Sequence, residues 1–278
     1  MAAPAIQTDS TLYRIFDTHA QREITLEDLA DALGDADVVF FGEEHNDSVA
    51  HVLQFELLKA MDDRYDRVAL SMEMFVSDDQ LVLDEYLSGL ITERNLSKDA
   101  VLWNNYKDYR PMVEYAKAHQ LTVLAANAPS RYTNRVTREG LGSLKALDKA
   151  ARSLLAPLPV DTLTGPYYEK FAGLMGGHEG MGNLRIYQSQ NLWDATMAYR
   201  IGQLLKKKSV NKILHLNGRF HSDGGLGTVA HLRRYAPRAS AANISCFPHE
   251  GIDQPDWALF SHLGDFIILT DSTVPKTF

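Results

Sequence analysis

The sequence predicts an α/β fold: a mostly parallel sheet with helices on both faces and a helical insertion or lid. Three observations carry this reading. Short runs such as VVFF (38–41), RVAL (67–70) and KILHL (212–216) are almost wholly apolar, as strands covered on both faces must be. Between the runs lie stretches with apolar residues at helical spacing. Glycine-containing polar clusters follow two of the runs, and open parallel sheets bind ligands at such strand ends.

Along the chain, REITLEDLADAL sets Ile24, Leu26, Leu29 and Leu33 in a helical pattern, with Thr25 as the N-cap. DVVFFG is the first strand and DSVAHVLQFELLKAMDD the helix after it. RVALSMEMF is the second strand. The segment from Asp78 to Leu96 reads as helical, and YRPMVEYAKAHQ as a helix starting at Pro111, because proline suits the first helical turn. LTVLAANAP is the third strand, stopped by Pro129. From 130 to 182, Gly140, Gly142, Gly165, Pro157, Pro159 and Pro166 interrupt short helical pieces. This segment reads as an insertion or lid within a single domain spanning residues 1–278. LRIYQSQNLWDATMAYRIGQLLKKK is a long amphipathic helix. KILHLNG, ASAANISCFP and DFIILT supply three more strands, with GTVAHLRRYA helical.

Composition narrows the function. The 278 residues are 45% hydrophobic and 23% charged, as in an ordinary globular protein with a real core. A formal net charge of −8 argues against nucleic acid as a partner. The one basic triplet, Lys206 to Lys208, complements the end of the long helix. Cys246 is a lone thiol in an apolar run and reads as a small buried hydrophobe. No apolar run approaches the ~18 residues of a membrane span. The start MAAPAIQTDS shows no basic and apolar export signal, and reads like a mature exported N-terminus.

The chemistry gathers at strand ends. The first strand runs into Gly42-Glu43-Glu44-His45, and the second delivers Glu73 within SMEMF. The third ends with Asn127, and the fourth in Asn217-Gly218-Arg219-Phe220-His221. Gly-x-x-His thus recurs at two strand tips, where glycine lets the backbone turn sharply and set the histidine over the sheet edge. Glu73 needs a partner, because an unpaired buried carboxylate costs several kcal/mol. Two imidazoles and one to three carboxylates at one rim suit a divalent metal ion held by His45, Glu73 and His221. They equally suit acid–base hydrolysis by Glu43, His45, Glu73 and His221. The duller alternative is that the histidines merely cap turns.

GEEHNDSVAHVLQFELL, SMEMF, the aromatic run from Trp103 to Tyr109, AANAP, YQSQNLWDATMA and LNGRFHSDGGLG, in this order, resemble the ChaN-like haem-binding proteins. These share a superfamily with the Tiki metalloproteases and erythromycin esterases. The resemblance implies bacterial haem uptake in the cell envelope or periplasm, typically as a lipoprotein, although no lipobox cysteine stands at this start. It implies haem as cofactor, a tyrosine on ferric iron, a homodimer enclosing two haems, and an outer-membrane haem receptor as partner. A tyrosinate suits ferric haem. The insertion offers Tyr168 as iron ligand and His178 as distal or axial group, with Tyr167, Met175 and Arg185 also binding haem. The alternative is a small apolar subcore under a lid. Tyr187 and Trp193 read as core by helical spacing, while Gln190 and Asp194, one turn apart, read as facing the rim.

Overall fold

A computed structural model describes residues 10–175, 181–207 and 209–278. Strands β1 (Tyr13–Asp17) and β2 (Arg22–Ile24) lead to helix α1 (Leu26–Ala32), then β3 (Val38–Glu43), α2 (Ser48–Arg64) and β4 (Val68–Val76). Helices α3 (Gln80–Leu87), α4 (Glu93–Asp99) and α5 (Tyr106–Ala118) precede β5 (Thr122–Asn127). Helices α6 (Ser130–Glu139), α7 (Lys149–Ser153), α8 (Pro166–Leu174) and α9 (Met181–Leu205) follow. The chain closes with β6 (Lys212–Gly218), α10 (Gly227–Tyr235), β7 (Ala241–His249) and β8 (Phe266–Asp271).

The eight described strands form one sheet in the order β2-β1-β8-β7-β3-β6-β4-β5. From β8 to β5 every pairing is parallel, and only β1 and β2 run against their neighbours. The α/β fold with a mostly parallel, two-sided sheet is therefore as the sequence predicts. In β3, Val39 and Phe41 face the core packed by α1, α2 and α5, whereas Val38 and Phe40 face α9 and α10. This two-sided burial makes the strand apolar throughout. Thr25 caps α1 in a reciprocal capping box with Asp28, and Cys246 is buried.

Three local readings change. Strands β1 and β2 go unpredicted because they are short, partly exposed and polar-rich, lacking the continuous apolar signature of the parallel strands. The helical stretch at 78–96 breaks at Gly89, whose φ of 78° suits glycine beyond a helix end, so α3 and α4 are separate. Helix α5 starts at Tyr106, with Pro111 inside it. Proline there removes one hydrogen bond, to the Lys107 carbonyl, while burial of Tyr109, Met112, Val113 and Ala116 holds the helix. Between 130 and 182 lie α6, α7 and α8, joined by irregular chain; α6, α8 and the stretch around Leu155 to Val160 pack against the first half of α9.

Candidate functional site at the strand ends

Parallel register brings the two Gly-x-x-His motifs together. Gly42 pairs with Asn217 and Glu43 with Gly218, so both motifs leave the sheet at the same level. On the other side of β6, Met72 pairs with Leu216, and β4 shifts register against β5 between Met72 and Val76. Glu73 sits in that irregularity, the kind of local distortion that re-aims a side chain at a sheet rim.

Two histidines are each held by a carboxylate, from opposite faces of the sheet. On the α2 and α5 face, Glu43 is 1% exposed, and its Oε1 lies 2.9 Å from His45 Nδ1. Tyr109 donates its hydroxyl to the same oxygen, and Gln54 Nε2 donates to Oε2 at 2.6 Å. His51 Nε2 stands 3.3 Å from Oε2, an ion-pair distance without a hydrogen bond. Burial opposes charge on Glu43, yet His45 and His51 outweigh it and hold the carboxyl below the usual range.

On the α9 face, His221 Nδ1 lies 2.7 Å from Asp194 Oδ1 and 3.1 Å from Gln190 Nε2, while Nε2 lies 3.4 Å from Glu73 Oε1. Asp194, fully buried, also accepts from Thr228 Oγ1 at 2.9 Å and from the Tyr167 hydroxyl. Glu73 Oε2 accepts from the Gly218 amide at 2.8 Å. Burial disfavours both charges of the Glu73–His221 pair, but mutual attraction wins, lowering Glu73 to about 2 and, with Asp194, raising His221 to about 10. His221 is thus a fixed imidazolium at neutral pH.

His45 is the accessible member. Its side chain is 35% exposed, sits edge-on to Trp103 at 4.9 Å between ring centres, and leans over Gly218. A Cβ on residue 218 would lie 2.7 Å from His45 Nε2. Burial lowers the affinity of His45 for a proton, but Glu43 and Glu73 overcome this and raise its pKa.

The rim therefore joins Glu43, His45, Glu73 and His221, the four residues the sequence singles out, and adds Asp194 and Gln190 as the spacing on the long helix suggested. Sequence reasoning missed Gln54, His51 and the role of Tyr109. The available signal was polar His51 and Gln54 on a face shared with buried Ala50, Leu53, Leu57 and Leu58. Asn127, at the tip of the third predicted strand, is buried and ties β5 to β4 by donating Nδ2 to the Glu73 carbonyl at 3.0 Å.

The family model for haem-binding uptake proteins of the Tiki superfamily, ChaN, matches residues 29–232. The chain belongs to the ChaN family. A structure of ChaN from Campylobacter jejuni with cofacially bound heme is 20% identical, with a TM-score of 0.70, covering 95% of this chain and 98% of that one. That likeness establishes a shared fold. A mutant of the erythromycin esterase EreC in its open conformation is 12% identical with a TM-score of 0.49, covering 93% of this chain and 83% of that one. No protein in the curated set matches.

In this ChaN chain, the residues expected to hold haem divide across α8. Tyr167 is 1% exposed, its hydroxyl given to Asp194, and Tyr187 donates to the Leu163 carbonyl at 2.6 Å. Tyr168 is 37% exposed and touches the Tyr187 ring edge-on. Met175 packs against the Tyr167–Phe171–Tyr187 cluster, and Arg185 Nη1 donates to the Arg138 carbonyl at 2.6 Å. His178 lies outside the described residues. Trp193 packs against the core, as its spacing predicts.

The expected divalent metal finds no support. Among the described residues no group of three or more His, Cys, Asp or Glu side chains is placed to hold an ion. At the rim both ring nitrogens of His221 face carboxylates, Asp194 at Nδ1 and Glu73 at Nε2, and Glu73 is also taken up by the Gly218 amide.

The Glu73–His221 pair makes folding stability depend on pH. The depressed Glu73 contributes fully above the ordinary carboxylate range, near pH ~4.3, and its contribution fades as pH falls through about 2. The elevated His221 contributes fully below the ordinary imidazole value of ~6.5, and its contribution fades as pH rises through about 10. Thermal melts should show a plateau at roughly pH 4.5–6.5 and fall away on both sides. A melting temperature that kept rising from pH 6.5 to 9 would contradict this origin.

Proposed function

We propose that this chain binds ferric haem on the flank of α8 that carries Tyr168, in bacterial haem uptake. Family membership supports haem as the ligand class, and the exposure of Tyr168 is the observation that carries the site. It is the one tyrosine among the exposed large apolar side chains described, and its hydroxyl has no hydrogen-bond partner among the described residues. Leu184, 46% exposed and one turn before Tyr187 on α9, and Met175, packed against the Tyr167–Phe171–Tyr187 cluster, supply further apolar surface. Arg185 keeps further guanidinium donors for a propionate. Bound haem supplies a ferric iron, which a tyrosinate stabilises in that state. Titration with ferric haem should shift the Soret band of the wild type. Tyr168→Phe should weaken binding by at least the roughly 10–100-fold that losing even an outer-shell partner costs a metal site. An unshifted wild-type spectrum ends this reading.

A homodimer meeting over this flank, a location in the cell envelope and delivery from an outer-membrane receptor extend the same proposal. Sedimentation with and without haem tests the dimer. No described helix is long and apolar enough to cross a membrane.

A second reading is acid–base hydrolysis at the rim, favoured by one observation: an accessible, carboxylate-held His45 beside the fixed imidazolium of His221. Ester and peptide substrates should then be turned over by the wild type and about 10²–10⁴-fold more slowly by His45→Ala. Equal rates for the two proteins would remove this reading.

A further inference from the structure

We propose that the cavity between α8 and the strand-end rim is a binding site for a carboxylate carried on an apolar body. The cavity holds about 530 Å3, and its walls include His45, Lys170, Leu174, Arg219 and Phe220. With 3.6 residues per turn, positions 170 and 174 fall on the flank of α8 away from 168. The site is therefore separate from the proposed haem face and does not rest on that reading.

Its chemistry is asymmetric: the acceptors are filled and the donors are not. Glu43 already has His45, Gln54 and Tyr109 as partners. Asp223 accepts from Ser245 Oγ at 2.7 Å and pairs with Arg219 Nη2 at 2.8 Å. Glu44 stands half-exposed at the mouth, 3.4 Å from Arg219 Nη1. Arg219 Nε has no hydrogen-bond partner among the described residues but is itself enclosed, so Arg219 offers a ligand its charge, and the guanidinium is steadied over the Phe247 ring at 4.2 Å. Lys170 Nζ donates to the Phe220 carbonyl at 3.0 Å and stands 4.0 Å from Asp223, which leaves ammonium donors for a ligand. An incoming carboxylate would take up the Lys170 donors beside the Arg219 charge. The apolar body would lie against Leu174, which is 73% exposed, and against Phe220.

The probe is benzoate, with neutral benzamide as its near-isostere, followed by isothermal titration calorimetry. Benzoate should bind saturably and benzamide at least roughly tenfold more weakly. Lys170→Met and Arg219→Gln should each cut benzoate affinity by about tenfold, the loss expected for one charge-assisted hydrogen bond. Each variant is first checked by its melting curve, and if one fails to fold the other decides. Absence of saturable benzoate binding overturns the proposal, as does equal binding of benzamide. Wild-type affinity in a folded variant of both residues does so too. Repeating the haem titration in saturating benzoate identifies the source of the carboxylate. Unchanged haem affinity, the expected result, indicates a free acid. Competition would indicate a porphyrin propionate and would overturn the separation of this site from the haem face.

Discussion

Replacing Asp194 with alanine should cost about 3–5 kcal/mol of folding stability, the usual loss when one partner of a buried ion pair is removed. The carboxylate is fully buried and satisfies three groups from three elements: His221 after β6, Thr228 on α10 and Tyr167 on α8. Without it, the imidazolium of His221 keeps only Glu73 as a charged partner, and the Tyr167 hydroxyl is left with Gln190 Nε2, 3.2 Å away. His221 owes part of its raised pKa to Asp194, so the same substitution should bring that pKa down from about 10. Denaturant unfolding measures the first effect and an NMR titration of the His221 ring the second. A stability loss under about 1 kcal/mol with His221 still protonated at pH 9 would mean that Asp194 is not the anchor of the α9 face.

The same residue shows where sequence reading reaches its limit. Asp194 and Gln190 were visible as a polar pair one turn apart, so the face of the helix was legible. That His221 is their shared partner was not, because helical periodicity gives a direction around an axis and not the neighbour it meets. Glu73 was legible for a different reason. A carboxylate between two methionines in an apolar strand cannot be left bare, so a charged partner was required even before its identity was known. Gly42 and Gly218 were legible as turn formers only. Their backbone angles are unremarkable for any residue, and what demands glycine is close approach by side chains and backbone from another strand end. The haem-facing residues were least legible. Tyr167 and Tyr168 are adjacent, and only the packing of α8 sends one hydroxyl inward to Asp194 and leaves the other at the surface.

Those two glycines carry the second large effect, and they separate packing from chemistry. In Gly42→Ala the new Cβ would lie 2.7 Å from Ser222 Oγ and 2.9 Å from the Arg219 Cα. The second contact is with backbone, and the turn that carries it has little room to yield. Ser222 is fully buried, its Oγ accepts from Asn217 Nδ2 at 2.9 Å, and its carbonyl accepts from Asn243 Nδ2 at 2.9 Å. Overpacking of this kind costs about 1–3 kcal/mol, and here the displaced segment also carries His221, so the upper end is expected. Gly218→Ala meets a different neighbour. Its Cβ would collide with His45 Nε2, the tip of a side chain that is one-third exposed and can swing outward. That variant should lose less than about 1 kcal/mol, because the strain is relieved by a rotamer change. The swing would part His45 from Glu43 and lower the raised pKa of the imidazole. Unfolding midpoints for both variants, read beside the His45 titration, distinguish the two. If Gly218→Ala destabilised the fold as much as Gly42→Ala and left the His45 pKa unchanged, the imidazole would have to be held by more than its contact with Glu43.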